Sequence, residues 1–357
     1  MKIVFFPTQC LPIHGKTLEE RPLGGTESAI IRLAKTLYEM GHDVRVISEF
    51  DKPPVTAPLY MPRTAIKHLG PVDALISIRN WNPLLLPIDA KKRFFWTGDA
   101  HDQPHSIGIG DKRIADKVDG FLCASQWQAE MFAESSGFPL EKTWTIRYGI
   151  HAPYFEKEVS KNRKRLIYSS TPYRGLAHLP KIYNSIKSKH PDCELHVFSG
   201  YKVYDNGSGQ YNEQAEREFE VLSKLLNALP DCYLHGNVNQ EQLALEFQKS
   251  AVLAYPNTFA ETGCITALEA QAGGCAIVSS KLGALPETVG DAGILIDGTP
   301  GSEEYDNAFV DAVDKLLSND KEFEKYSNRG LERAKDFSWE AIAGKFVDYL
   351  KENHELS

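Results

Sequence analysis

The sequence predicts an α/β protein made of two doubly wound domains in series. Two observations carry this. Apolar, β-rich runs alternate with segments of helical period almost throughout the 357 residues. The alternation breaks only near the middle of the chain, in a charged segment. A βαβ succession implies a parallel sheet, and 357 residues suffice for two domains of ordinary size.

In the first half, Lys2 to Pro7 is an apolar run and reads as a buried first strand. Gly24-Gly25 leads into a helix from about Thr26 to Met40, with Ala29, Ile30, Leu33, Ala34 and Leu37 at helical spacing and Gly41 as its C-cap. Further strands are expected at Val44–Ile47, Ala74–Ile78, Arg93–Trp96, Gly120–Ala124 and Thr143–Tyr148. The segment 150–165 contains a proline and a dense charge cluster without periodicity, and is expected to be the interdomain linker. The second half repeats the alternation. Strands are expected near Leu166–Ser169, Glu194–Phe198, Cys232–His235, Ala251–Tyr255, Cys275–Val278 and Ile294–Ile296. Helices are expected at Leu179–Lys189, Asn212–Ala228, Gln240–Lys249 and Gly263–Ala272, then at Tyr305–Leu317, Lys321–Lys335 and Trp339–Asn353. A ligand cleft between two such domains is the default expectation.

Composition excludes several classes. A net charge of −8 argues against nucleic-acid binding through a basic field. No apolar run is long enough to span a bilayer. The six cysteines form no C-x-x-C pair and read as reduced thiols of a cytoplasmic protein. No metal cluster is visible and none is expected.

The most informative stretch runs from Asn257 to Ser280. Glu261 and Glu269 stand eight residues apart around the turn Thr262-Gly263-Cys264-Ile265, which opens a helix directly after an apolar strand. A helix N-terminus at a strand's carboxyl end offers N–H groups and the positive dipole end to an anion such as a diphosphate. Were the segment helical throughout, eight residues would rise about 12 Å, the reach of a sugar-diphosphate-ribose. One carboxylate would then hold sugar hydroxyls and the other ribose hydroxyls. Read instead as plain surface groups, the two glutamates need no ligand.

Three other constellations stand out. Gly24 and Gly25 allow close approach of a ligand, or are loop punctuation before an N-cap Thr26. They follow the first strand by roughly 17 residues, too far for a dinucleotide fingerprint, which disfavours a dehydrogenase. Asp99, His101, Asp102 and His105 gather after a strand; a role toward a sugar or acceptor fits better than a metal. In "SSTPYRGL", Arg174 offers a charged fork for phosphate, with Gly175 turning the backbone.

Taken together, "FAETGCITALEAQAGGCAIVSSKLGALPETVGDAGILI", "GGTESAIIRLAKTLYEMGHDV", "VDGFLCASQWQAEMF" and "IRYGI" resemble the retaining glycosyltransferases of family 4 in order and spacing, over nearly the whole chain. The resemblance implies the GT-B fold, two Rossmann-like domains facing a central cleft. It implies an acceptor-side domain at 1–155, a nucleotide-sugar domain at 156–335 and a last helix, 336–357, crossing back. It implies transfer of a sugar from a UDP-, GDP- or ADP-sugar to a hydroxyl of a carbohydrate or lipid-linked acceptor, with no further cofactor. Glu261 would contact the donor sugar, Glu269 the ribose, and the backbone of Gly263, Cys264 and Ile265 the diphosphate, with Gly25 nearby. His101 would sit near the transferred sugar and Arg174 would stabilise the leaving diphosphate. Gly236, Asn237 and Val238 would line the base pocket, and Lys202 would add charge. The chain departs from the family where E-G-F-G is replaced by Glu261-Thr262-Gly263-Cys264. It departs again at the diphosphate, where Ser169 or Ser170 takes the place of one of two basic residues. Rival expectations are a nucleotide-sugar-binding protein without turnover, or an epimerase or phosphorylase on the same fold. The cluster Lys161 to Arg165 is either a solvated linker or a contact with anionic membrane at the inner face.

Overall fold

The computed structural model describes residues 1–50, 52–201 and 213–356. By its contacts the chain forms two compact units, Met1–Gly149 with Trp339–Ser357, and Ile150–Ser338. The second unit closes on itself where Ile150 bridges to Ser338 and its N–H donates to Phe337 O at 2.7 Å. The units therefore meet in sequence at 150 and 338, against the expected 156 and 336.

The first unit holds a parallel sheet of β1 (Lys2–Pro7), β2 (Asp43–Ser48), β3 (Leu59–Pro62), β4 (Val72–Ile78), β5 (Ala90–Thr97), β6 (Gly120–Cys123) and β7 (Thr143–Thr145). Its order is β3-β2-β1-β4-β5-β6-β7. Helices α1 (Thr17–Glu20), α2 (Gly25–Glu39), α3 (Lys112–Ala115) and α4 (Gln126–Ser136) connect the strands. The run Ile3 to Pro7 is buried throughout, as expected of a strand covered on both faces. One of those faces is a cluster of Val4, Phe6, Leu75, Phe95, Phe121 and Phe132.

The second unit holds β8 (Asn162–Ser169), β9 (Glu194–Phe198), β10 (Cys232–Leu234), β11 (Ser250–Tyr255), β12 (Ala276–Ser280) and β13 (Gly293–Ile296), in the order β10-β9-β8-β11-β12-β13, again all parallel. Its helices are α5 (Leu179–Lys189), α6 (Glu213–Asn227), α7 (Gln240–Lys249), α8 (Ile265–Ala272), α9 (Leu285–Val289), α10 (Glu303–Ser318) and α11 (Asp320–Ala334). The last helix, α12 (Trp339–His354), belongs to the first unit and packs on α2.

In each sheet the order reverses at one place. The first reverses between β1 and β4 and the second between β8 and β11. At such a switch point the connections leave in opposite directions and open a crevice outside the carboxyl ends of the strands.

Three expectations need correction. The expected linker 150–165 ends in structure, because β8 begins at Asn162 and pairs Arg165 with Glu194. The helix expected from Gly263 begins at Ile265, with Cys264 as its N-cap. Strand β3 escaped notice: it is a four-residue edge strand ending in Pro62, where proline costs no ladder bond.

Candidate functional site

The loops after β8 and β11 bring Arg174 and Glu261 together at the switch point of the second sheet. Arg174 Nη1 donates to both carboxylate oxygens of Glu261, at 2.9 and 3.0 Å. Tyr255, the last residue of β11, donates its hydroxyl to Glu261 Oε1 at 2.6 Å. Glu261 is 2% exposed. Burial is the largest single influence on Arg174 and opposes its charge, but Glu261, with Tyr255 and Tyr173, together outweighs it and holds the guanidinium firmly protonated. Burial, reinforced by Glu261, keeps the Tyr255 phenol protonated as a donor. The guanidinium lies 4.5 Å from the centre of the Phe259 ring, a cation–π contact.

The backbone is shaped to allow this. Gly175 has φ 97°, and a Cβ there would stand 2.0 Å from Pro256 O. The loop after β8 thus lies directly on the loop after β11. Gly283, with φ 59°, makes the same close approach to Glu261: a Cβ would meet its carbonyl oxygen at 2.6 Å. Ala284 N donates to that carbonyl at 2.7 Å. Ser279 and Ser280 donate to the carbonyls of Tyr255 and Asn257 at 2.7 and 2.6 Å, so the loop carrying Glu261 is tied to β12.

Beside the pair, α8 starts at Ile265 with no side chain capping it. The first N–H groups of a helix have no intrahelical partner, and an anion can take them. Thr266, in that first turn, donates its hydroxyl to Ser169 O at 2.9 Å and so fixes the helix end against β8. Gly263 and Cys264 lie in the turn before the helix, and Glu269 is half-buried within it. Glu261 and Glu269 therefore do not share one helix, and the simple helical rise does not give their separation.

A third strand end completes the face. After β10, Gly236 has φ 71° and Val238 packs partly on the core. The amide oxygen of Asn237 is buried without a hydrogen-bond partner, an open acceptor of the kind a ligand or water satisfies. His235 stacks on Phe198 with ring centres 4.5 Å apart, and its Nε2 is 2.9 Å from His196 Nδ1. Burial, then Arg165, pushes His196 down to about 4, so it is neutral at pH 7. Lys202 lies outside the described residues.

In the first unit, Gly25 is exposed at the first turn of α2, after Gly24 as N-cap. His101 is exposed in the turn after β5, and a half-buried network gathers Asp99 and His105 with Arg79 and Glu27, which the sequence did not point to. In that network Arg79 Nε meets Asp99 Oδ2 at 3.1 Å, its Nη1 lies 3.7 Å from Glu27 Oε1, and His105 Nε2 lies 3.4 Å from Asp99 Oδ2. Among the described residues no three His, Cys, Asp or Glu side chains are placed to hold a metal.

The basic cluster Lys161 to Arg165 is spoken for within the fold. Lys161 donates to Ser250 O and Gly273 O at 2.7 and 2.9 Å, and Arg165 pairs with Glu246. Arg163 lies 3.6 Å over the Phe323 ring, and Lys164 reaches Leu317 O. These cations close the seams around β8 rather than forming an exposed basic patch.

The missed residues are Tyr255, Phe259, Thr266 and Gly283. Tyr255 gave the one usable signal, a phenol at the end of an otherwise apolar strand six residues before a glutamate.

Comparison with known proteins bears on the family and the fold. A family model described as "Glycosyl transferases group 1" matches residues 154–333, half of the chain. The MMP alpha-(1->4)-mannosyltransferase of Mycolicibacterium hassiacum is 25% identical over 241 residues, 66% of this chain and 54% of that protein. The chain spans about half the length of that relative and less of two D-inositol 3-phosphate glycosyltransferases that it also matches. Among solved structures, sucrose-phosphate synthase from Thermosynechococcus elongatus superposes with a TM-score of 0.71 at 15% identity, covering 99% of this chain and 100% of that one. Anabaena HepE, solved in complex with UDP-glucose, gives 0.70 at 13% identity, covering 99% and 100%. At such identities the structural likeness speaks for the fold, the two-domain α/β architecture of the GT-B transferases, and the family match covers the unit that carries Arg174 and Glu261: the chain belongs to the group 1 glycosyltransferases.

Proposed function

We propose that the protein is a retaining glycosyltransferase that moves a sugar from a UDP-, GDP- or ADP-sugar to a hydroxyl of a carbohydrate or lipid-linked acceptor. The observation that carries this is the Arg174–Glu261–Tyr255 cluster beside the uncapped start of α8, at the switch point of a doubly wound sheet. Such a site offers a diphosphate what it needs: backbone N–H groups, a helix dipole and one arginine. The backbone of Gly263, Cys264 and Ile265 would hold the diphosphate, Glu269 the ribose and the turn Gly236-Asn237-Val238 the base.

In this reading the bond from the sugar C1 to the diphosphate oxygen breaks, and a bond from C1 to the acceptor oxygen forms on the same face. The acceptor proton passes to the leaving diphosphate, whose charge Arg174 and the end of α8 stabilise. Glu261 is not the nucleophile of a glycosidase. A retaining glycosidase needs two carboxylates flanking one bond, about 5–5.5 Å apart, whereas Glu261 is locked by Arg174 and Tyr255. Its remaining lone pairs would orient sugar hydroxyls. For Gly25 and His101 the proposal rests on the resemblance; His101→Ala should lower turnover and leave nucleotide affinity unchanged. Six free cysteines support a reducing compartment, hence the cytoplasm.

A second reading is a nucleotide-sugar-binding protein without turnover. It is favoured by Arg174, the one arginine of the site among the described residues, being engaged already by Glu261, where the family resemblance implies a second basic residue. Incubating the protein with each donor and following free nucleoside diphosphate, with and without acceptor sugars, separates the two. Release of diphosphate supports transfer, and tight donor binding without release supports the second reading.

A further inference from the structure

The first sheet also has a switch point, between β1 and β4, and the structure has a pocket there of about 640 Å³. That is the size of a site for a small molecule. Thr8, Gln9, Cys10 and Pro12 from the loop after β1 form one side. Asn80, Asn82, Pro83 and Leu86 from the loop after β4 form the other, with Phe6 also lining it and Glu49 and Arg63 at the end toward β2 and β3.

One lining residue, Gln9, and Arg79, next in sequence to the lining residue Asn80, are strained. Gln9 has φ 55° and Arg79 has φ 68°, the left-handed region that costs non-glycine residues free energy. Arg79 Nη1 donates to Gln9 O at 2.8 Å and lies 3.7 Å from Glu27, while its Nε meets Asp99. The half-buried network of the first unit thus ties the two loops together. Strain of this kind persists where the surrounding structure over-determines it, and it clusters at ligand sites.

The lining has a definite chemistry. Gln9, Asn80 and Asn82 carry carboxamides, which both donate and accept and so match hydroxyl groups. Phe6, Pro12, Pro83 and Leu86 supply apolar surface. Arg63 is the one cation of the lining, and it is already paired with Glu49. Burial pushes the Cys10 thiol up to about 12, so it adds no charge. A phosphate would find no free cation here and a carboxylate close by.

We infer that this pocket binds a saccharide or polyol that carries no phosphate, its hydroxyls on the carboxamides and on Glu49 and its C–H face on Phe6 and Leu86. The site stands on the pocket alone; that its occupant is the acceptor rests on the transferase reading above.

The test is saturation-transfer NMR on the full chain, with excess UDP present, using methyl α-mannopyranoside, maltose and myo-inositol against mannose 6-phosphate. At least one neutral probe should bind, and more tightly than the phosphate. Leu86→Arg, at an exposed position, should weaken that binding about tenfold, and Asn80→Ala five- to tenfold, the loss of one or two hydrogen bonds. Asn80 also accepts from Asn82 N, so melting curves must show that variant folded; Leu86→Arg carries the test if it is not. Glu49→Gln frees Arg63 and should let mannose 6-phosphate in. No binding by any neutral probe, a preference of the native protein for the phosphate, or binding that Leu86→Arg leaves unchanged overturns the inference. A melting temperature that none of UDP, GDP and ADP raises would count against the transferase reading and leave the pocket's result intact.

Discussion

At the residue scale, the site is a nearly buried ion pair with a phenol on one side and an aromatic ring beneath it. Its geometry makes Glu261 an oriented acceptor. Glu261→Ala should reduce turnover by about 10²–10³-fold, as loss of a preorganised group does, while free nucleotide binds nearly as before. It should also cost about 2–3 kcal/mol of stability, less than a fully buried pair would, because Arg174 is left unpartnered but a quarter exposed. Steady-state kinetics and urea melts check both, and intact turnover would remove Glu261 from the site. Gly283→Ala should damage the same loop from behind. A Cβ at 2.6 Å from Glu261 O, on a residue with φ 59°, predicts a loss of about 2 kcal/mol or more and a parallel fall in kcat; a variant as stable and active as the native chain would refute the packing. Glu261 was legible in the sequence because a carboxylate, a glycine turn and a helix follow one buried strand. Phe259 and Gly283 were not, since nothing in a sequence says that the chain from β12 returns to within a van der Waals radius of that loop.

At the element scale, the strands plainest in the sequence are those buried on both faces, β1, β4, β11 and β12, whose apolar runs need no pattern to be seen, though the partly exposed β7, β10 and β13 were expected as well. β3 was hidden because it is only four residues long and ends in proline, and the first half of β8 because its residues are polar. The charges of Lys161 to Arg165 looked like a linker, yet each cation has a carbonyl, carboxylate or ring waiting on a neighbouring element. A histidine of β9 carries the pH dependence. His196 is held at about 4 against 6.5 in the unfolded chain, first by burial and then by Arg165. A depressed value means the unfolded state binds the proton more readily. The stability it contributes is present above 6.5 and is lost as pH falls from 6.5 toward 4, by at most ~1.4 kcal/mol per pH unit. His196→Gln should therefore flatten the fall in melting temperature between pH 7 and 5. A variant that falls as steeply as the native protein would place the sensitivity elsewhere.

At the scale of the whole molecule, the chain ends in the unit where it began. Trp144 stacks on Tyr349 of α12 with ring centres 4.5 Å apart, and Phe94 meets Tyr349 and His354 edge-on. Gly149 lies against the Trp339 indole. Tyr349→Ala should cost about 3 kcal/mol, the range for removing a buried aromatic ring, and lower the melting of the first unit. If thermal melts are unchanged, α12 is not part of that core. The two-unit architecture was legible in the repeated alternation; the return of the last helix came only from the resemblance, because an amphipathic helix does not name the surface it covers.

The measurement that tests the central claim most directly is a melting-temperature series with UDP, GDP, ADP and their sugar conjugates, on the native chain and on Glu269→Ala. A ligand at a hundredfold excess over its Kd stabilises the native state by about 2.7 kcal/mol. One nucleoside diphosphate should raise the melting temperature by a few degrees, its sugar conjugate should do the same, and Glu269→Ala should lose most of the shift. No shift with any of them at millimolar concentration would contradict the assignment of the Arg174–Glu261 site to a nucleotide-sugar donor.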